Sequence, residues 1–463
     1  MAESEAESEL KATVGGKPGA LRLSRKQSSL LVQAGGKKTE VPLSQVVWAE
    51  ANEGNVLVSA LVRKGNLALV NWHCECDAAA AKPWVEELMR AAYGDVKPRR
   101  RLKIIINPVG GPGRGRQIWE KRAKPVFDAA HAELDVTFTE RQGHAGDIAE
   151  SLPLDFDAVV TVSGDGLLHE VLNGFAKRPD ARKAMQIPVA PLPTGSGNGF
   201  ALSLIGLKDG LDPAAAALNV IKGQPMDLDL CSFTQAGKTY YSFMSQSMGL
   251  MADVDLGTEH LRWMGNARFM YGFLRGLVSL KECPVELSIK VSDTDKKKMV
   301  DTHRALRSKR VASASRPDLT DTNVEDLEDS SLPELRFADG PDHEWITFEK
   351  PVLYVYAGKM PYVSVDLLQF PVSHANDGLI DLVVQERTQR GDLVKAIGVA
   401  PKGGQYWIDS QHYFKVHAYR AKPLGPGYLS VDGEAYPWEE FQVEAHAGLA
   451  TTLSMLGHYA VDF

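Results

Sequence analysis

Three glycine-rich turns, each directly behind a short apolar stretch, constrain this chain more than any other feature. They read Asn107-Pro-Val-Gly-Gly-Pro-Gly-Arg-Gly-Arg116, Ser163-Gly-Asp-Gly166 and Pro193-Thr-Gly-Ser-Gly-Asn-Gly199. The stretches Leu102–Asn107, Leu134–Thr139, Ala158–Ser163 and Ile187–Pro191 predict strands. Between the third and fourth, Leu168, Val171, Leu172 and Phe175 fall at helical spacing. Alternating strands and helices imply a parallel sheet with crossover helices. That topology brings every turn to one sheet edge, where such sheets bind ligands. Glycines there let backbone N–H groups approach a phosphate, and a helix N-terminus adds a favourable dipole. The first turn matches neither the P-loop nor the GxGxxG dinucleotide pattern. Each turn alone also reads as a plain Gly/Pro or Asp-Gly turn, but three on one edge can surround one ligand. Asp165, held between two glycines, is placed to accept a hydroxyl proton or to orient Mg²⁺. Pro112 removes one backbone donor from the first turn.

At 463 residues and 44% hydrophobic, the chain has material for two or three domains. Residues 1–19, acidic and then rich in Gly, Lys and Pro, read as a disordered lead-in. Residues 20–97 hold short alternating segments and then a helical stretch, Ala79–Tyr93, with Trp84, Leu88, Ala91 and Ala92 on one face. Several strands closed by one helix suggest a PH-like β domain. Lys97–Arg101 reads as a linker, and 98–226 as the α/β unit. In 227–463 strands dominate, for instance Tyr240–Met244, Val352–Ala357, Leu379–Gln385, His412–Arg420 and Tyr428–Val431. Residues 293–343 are charge-segregated and predict a disordered insertion, within which Arg310-Val-Ala-Ser313 has the form of a basic-directed phosphorylation site. A net charge of −7 argues against a dedicated nucleic-acid binder. Four cysteines are too few for a disulfide scaffold, and His73-Cys-Glu-Cys76 reads as a strand end before a metal site. The N-terminus lacks the apolar region of a secretory signal, and no apolar run reaches the ~18–20 residues that span a bilayer. The expected location is cytoplasmic, with peripheral contact to intracellular or plasma membranes.

The ordered set of motifs carries a resemblance. NPxGGxGxxR from Asn107, Thr139-Glu-Arg141, SGDGxxHEVxNG over Ser163–Gly174 and PxGSGN over Pro193–Asn198 resemble the diacylglycerol-kinase-type catalytic domain of lipid kinases. Ala252-Asp-Val-Asp-Leu256, Arg262, Gly265-Asn-Ala-Arg-Phe269 and Val431-Asp-Gly-Glu434 are similar to sphingosine (sphingoid long-chain base) kinases within that group. The resemblance implies an α/β nucleotide domain followed by a β-sandwich that holds a lipid tail. It implies ATP around Asn107, Pro108, Val109, Gly111, Thr139, Glu140, Arg141, Gln142, Gly143, Glu170, Gly195, Ser196 and Gly197. Arg262 and Arg268 would reach the nucleotide phosphates, and Asp432, Gly433 and Glu434 would close the site, with Mg²⁺ near Asp165 and Glu434. Ser163, Gly164, Asp165 and Gly166 would contact the substrate, Asp165 as catalytic acid/base, and Asp255 would recognise the sphingoid head group. The implied activity is ATP- and Mg²⁺-dependent phosphorylation of the primary hydroxyl of a sphingoid base. Its partners would be that lipid, a membrane surface and, in a homodimer, a second copy, with no nucleic acid. A ceramide or diacylglycerol kinase, an NAD kinase and a lipid-binding scaffold without turnover are the alternatives.

Overall fold

Turn chemistry shapes the first layer. A computed structural model describes residues 8–111, 113–258, 261, 264, 267–312, 331–337 and 345–463. Strands β1 (Ser8–Val14), β2 (Lys17–Ser24), β3 (Ser29–Ala34), β4 (Lys37–Pro42), β5 (Val46–Asn52), β6 (Asn55–Lys64) and β7 (Asn66–Cys76) form one antiparallel sheet. Their order is β4-β3-β2-β1-β7-β6-β5. Helix Ala78–Tyr93 starts where the Asp77 side chain accepts the Ala79 amide at 2.9 Å, and it buries Trp84, Val85 and Leu88. The expected disordered lead-in is corrected from Ser8 onward. Leu10 and Val14 share the inner face of β1 and are buried, while Lys11 between them and the acidic run before Leu10 mask that alternation in the sequence.

The expected linker is also corrected. Arg100 is buried and donates to the carbonyls of Val220 and Gly223, and Lys97 pairs with Asp157 at 2.6 Å. The N-terminal sheet shares a core with the next layer. Val47, Trp48, Leu67 and Tyr93 pack in one cluster with Trp119, Ala214 and Ala217. Tyr93 Oη donates to Val47 O at 2.6 Å, and Asp212 accepts from the Leu67 amide and from Arg122.

Strands β8 (Arg101–Ile106), β9 (Glu133–Phe138), β10 (Ala158–Ser163) and β11 (Val189–Pro193) run parallel in the order β9-β8-β10-β11. Period-two alternation sends Ile104 and Ile106 to one core and Ile105 to another, so both faces are covered. Strand Phe441–Ser454 joins this sheet to the second half. It pairs in parallel with β11 at Val189 and Thr452, and antiparallel with strands Gln224–Gln235 and Gln411–Pro423. The antiparallel part curls on itself, since Tyr240 and Tyr436 from its two end strands bring their rings to 5.4 Å. Within it Lys359 meets Asp229 at 2.9 Å and Asp377 at 2.6 Å, and Lys415 meets Asp377 and Asp381, so each buried charge faces an opposite one.

The disordered insertion is corrected in part. Lys296–Ala312 is a helix that buries Met299, Val300 and His303, because these three residues sit on one face of an otherwise charged segment. After it, Glu444 accepts the amides of Arg336 and Phe337. The phosphorylation-like Ser313 lies outside the described residues. Among the described residues no helix is long and apolar enough to cross a membrane.

Candidate active site

Three of the four parallel strands, β8, β10 and β11, end at the conspicuous glycine-rich turns. Behind β8 the Asn107 side chain accepts the Val109 amide at 3.1 Å, and behind β11 Asn198 clamps Gly195 through both its side-chain atoms. The turns stack backbone on backbone. A Cβ on Gly195 would lie 2.4 Å from the Gly164 backbone, and one on Gly111, which has φ +58°, would lie 2.3 Å from Thr194 O. Glycine is therefore required sterically, and the result is a cradle walled by main chain.

A cavity of about 640 Å³ opens at this edge. Asn107, Pro108, Val109 and Gly111 line it behind β8, and Thr139, Glu140, Arg141 and Gln142 behind β9. Ser163, Gly164, Asp165, Gly166 and Glu170 line it behind β10, and Gly195, Ser196 and Gly197 behind β11. Asp255, Arg268, Asp432, Gly433 and Glu434 come from the second half. Gly143 is not in the wall; with φ +80° it turns the chain into helix His144–Glu150. Glu170 accepts the Ala145 amide of that helix at 3.1 Å. Arg262 lies outside the described residues.

Asp165 opens helix Asp165–Ala176, and its carboxylate crosses to helix Gly199–Ile205, accepting the amides of Gly199 at 2.7 Å and Phe200 at 3.2 Å. Burial pushes its pKa up to about 6 against those two amides, and the Asp432 carboxylate adds to the rise. Asp432 and Gly433 form the two-residue loop between strands Leu429–Val431 and Glu434–Tyr436, with φ +51° and +85°. Asp-Gly is the pair that adopts such a turn most readily. Asp432 lines the cavity, but its carboxylate is engaged inside the protein. Its two oxygens already accept from Ser242 Oγ, from the amides of Phe243, Met244 and Ser245, and from His169 Nδ1. Burial lowers the His169 pKa, but Asp432, Glu434 and Glu170 outweigh it and hold the imidazole above its ordinary value.

Ala252–Leu256 belong to helix Leu250–Gly257. Asp255 accepts from Ser430 Oγ at 2.7 Å, and Arg268 stands 3.8 Å from it and bonds Thr258. Arg268 therefore sits beside Asp255, which places it on the second-half side of the cavity. Beyond Asp255 the wall turns apolar, with Met251, Val254, Met270, Phe273, Val363, Leu367, Ile397 and Ala400, and with Tyr354 and Tyr356. These residues come from separate segments of the second half, and no local pattern marks them in the sequence. Among the described residues no group of three or more His, Cys, Asp or Glu forms a metal cage.

Residues 101–233 match the family model of the diacylglycerol kinase catalytic domain. A crystal structure from Bacillus anthracis str. Sterne, described as a candidate diacylglycerol kinase, shares the fold with a TM-score of 0.53 at 18% identity. It covers 78% of this chain and 97% of that one. The catalytic unit is thus of the diacylglycerol kinase class. The chain is 34% identical over 435 residues to Sphingoid long chain base kinase 4 of Schizosaccharomyces pombe (strain 972 / ATCC 24843), across 92% of this chain and 90% of that one. It is 30% identical to Sphingoid long chain base kinase 5 of Saccharomyces cerevisiae (strain ATCC 204508 / S288c), across 82% of this chain and 63% of that one. The protein belongs to the sphingoid long chain base kinase family.

Proposed function

We propose that this protein transfers the γ-phosphoryl group of ATP to the primary hydroxyl of a sphingoid long-chain base, giving the 1-phosphate and ADP. The observation that carries the reading is one cavity in which main-chain turns suited to phosphates continue into an apolar wall suited to a lipid tail. The stacked glycines let the main-chain turns close on one another, an arrangement whose backbone N–H groups suit a nucleotide phosphate. Asp165, held by two amides, takes the proton of the lipid hydroxyl as its oxygen bonds to phosphorus, and the bond to ADP breaks. The donor set suits Mg²⁺, which takes one or two carboxylates plus substrate phosphates; Asp165 and Glu434 would supply them. When bound, that ion would neutralise charge on the phosphates. Asp255, beside the apolar wall, gives the ammonium of a free base a carboxylate partner.

Two finer readings go with this one. The N-terminal sheet and its single closing helix suit a PH-like module, and the curled second-half sheet suits a sandwich that holds the tail. Met270, Tyr271, Leu274 and Val278 form an exposed apolar stripe on helix Ala267–Ser279, whose Met270 and Phe273 line the cavity. That stripe supports peripheral association with a cytoplasmic membrane face. The test is label transfer from ATP to a panel of sphingosine, sphinganine, ceramide and diacylglycerol. Label on the free bases alone is expected. Transfer to ceramide or diacylglycerol in preference, or to no lipid, would overturn the proposal.

A further inference from the structure

His169 lies one turn beyond Asp165 on the same helix, behind the cavity wall and buried. Its Nδ1 stands 2.8 Å from Asp432 Oδ2, and Tyr436 Oη lies 3.4 Å from Nε2. Asn173 anchors that helix face, donating to Tyr241 O at 2.8 Å and accepting the Tyr241 amide at 2.9 Å. The partners His169 and Asp432 are 263 residues apart in sequence, so their bond ties the catalytic helix to a hairpin of the second half. That hairpin has a two-residue loop, and Glu434 follows it directly. Glu434 in turn stands over the start of the catalytic helix. A Cβ on Gly166 would lie 3.4 Å from its Oε1, and Gln142 Nε2 lies 3.3 Å from its Oε2. With both loop residues in the left-handed region, the turn has little freedom, and a displaced Asp432 carries Glu434 with it.

We infer that His169 is a positioning residue for phosphoryl transfer, its Nδ1–H bond to Asp432 setting Glu434 against the helix that carries Asp165. The inference rests on the kinase reading above. Misplacing a group at a reacting centre by about 1 Å costs up to ~100-fold in rate, with substrate affinity much less affected.

The test compares His169→Asn with His169→Gln in the full chain. Asparagine carries its amide nitrogen near the place of the histidine Nδ1, whereas glutamine extends its amide past Asp432. With sphingosine and Mg²⁺-ATP, His169→Asn is expected within about 3-fold of the wild-type kcat, and His169→Gln about 10–100-fold below it. KM for sphingosine should stay within about 2-fold in both. Equal kcat in the two variants would overturn the inference alone, whereas no transfer by the wild type would overturn the kinase reading beneath it. Should His169→Gln not fold, Asp432→Asn serves, since Asn tolerates the left-handed backbone. A wild-type kcat in that variant would equally overturn the inference.

Discussion

Asp165 ionises under opposed influences, burial against two backbone amides, and burial wins. A carboxyl whose pKa is raised from 3.8 to about 6 contributes stability below the unfolded value and loses it as pH rises through 6. Asp165→Asn should therefore gain more melting temperature over the wild type at pH 8 than at pH 4, while kcat falls by ~10²–10⁴-fold. The wild-type kcat should itself decline as pH drops through about 6, because a protonated carboxyl cannot accept the hydroxyl proton. A pH–rate profile flat through that value would remove Asp165 from the proton transfer. Asp255 and Asp253 make a contrasting pair. Residues two apart on a helix lie about 200° apart around its axis, and only Asp255 reaches the cavity. Asp255→Asn should weaken kcat/KM for free sphingoid bases by ~10–100-fold, the equivalent of one charge-assisted hydrogen bond. Asp253→Asn should change it little, and equal losses in the two would refute the assignment.

Among elements, helix Lys296–Ala312 changes what deletion of the charged segment does. Read as a loop, its removal would be nearly neutral. As a helix it places Met299, Val300 and His303 in the core and sends Arg304 to Phe463 O at 3.1 Å. Met299→Ala should cost ~2–5 kcal/mol, the range for truncating a buried Met. Deleting Lys296–Ser331 should lower the melting temperature further, and thermal unfolding of both variants checks this. The segment is hard to read because its few apolar residues are scattered among many Lys and Arg, and one of its buried residues, His303, is polar, so no amphipathic signal emerges. Strands with long apolar runs were easier. Ala158–Ser163 is buried on both faces, so its sequence is almost uninterrupted Val and Thr.

Across the whole molecule, the N-terminal sheet is a neighbour in the core and not an appendage. Trp48, Leu67 and Tyr93 cover Trp119 and the Ala214–Val220 face, and each buried large side chain is worth ~1.5–3 kcal/mol. A chain starting at residue 98 should unfold roughly 10 °C or more below the full chain, or aggregate, as measured by differential scanning calorimetry. An unchanged melting temperature would show that the two layers fold independently.

Local chemistry determined the parallel strands, the helix after Ser163 and the phosphate-suited turns, because hydrophobic period and glycine placement act within a few residues. The convergence of those turns on one edge followed from topology alone. Tertiary structure decided the rest. Asp432 and Glu434 share one short hairpin, yet one carboxylate is consumed by five internal donors while the other stands over the catalytic helix. The apolar wall is likewise assembled from residues about 150 positions apart, such as Met251 and Ala400. Partners that far apart in sequence leave no periodicity behind, and only the folded chain brings them together.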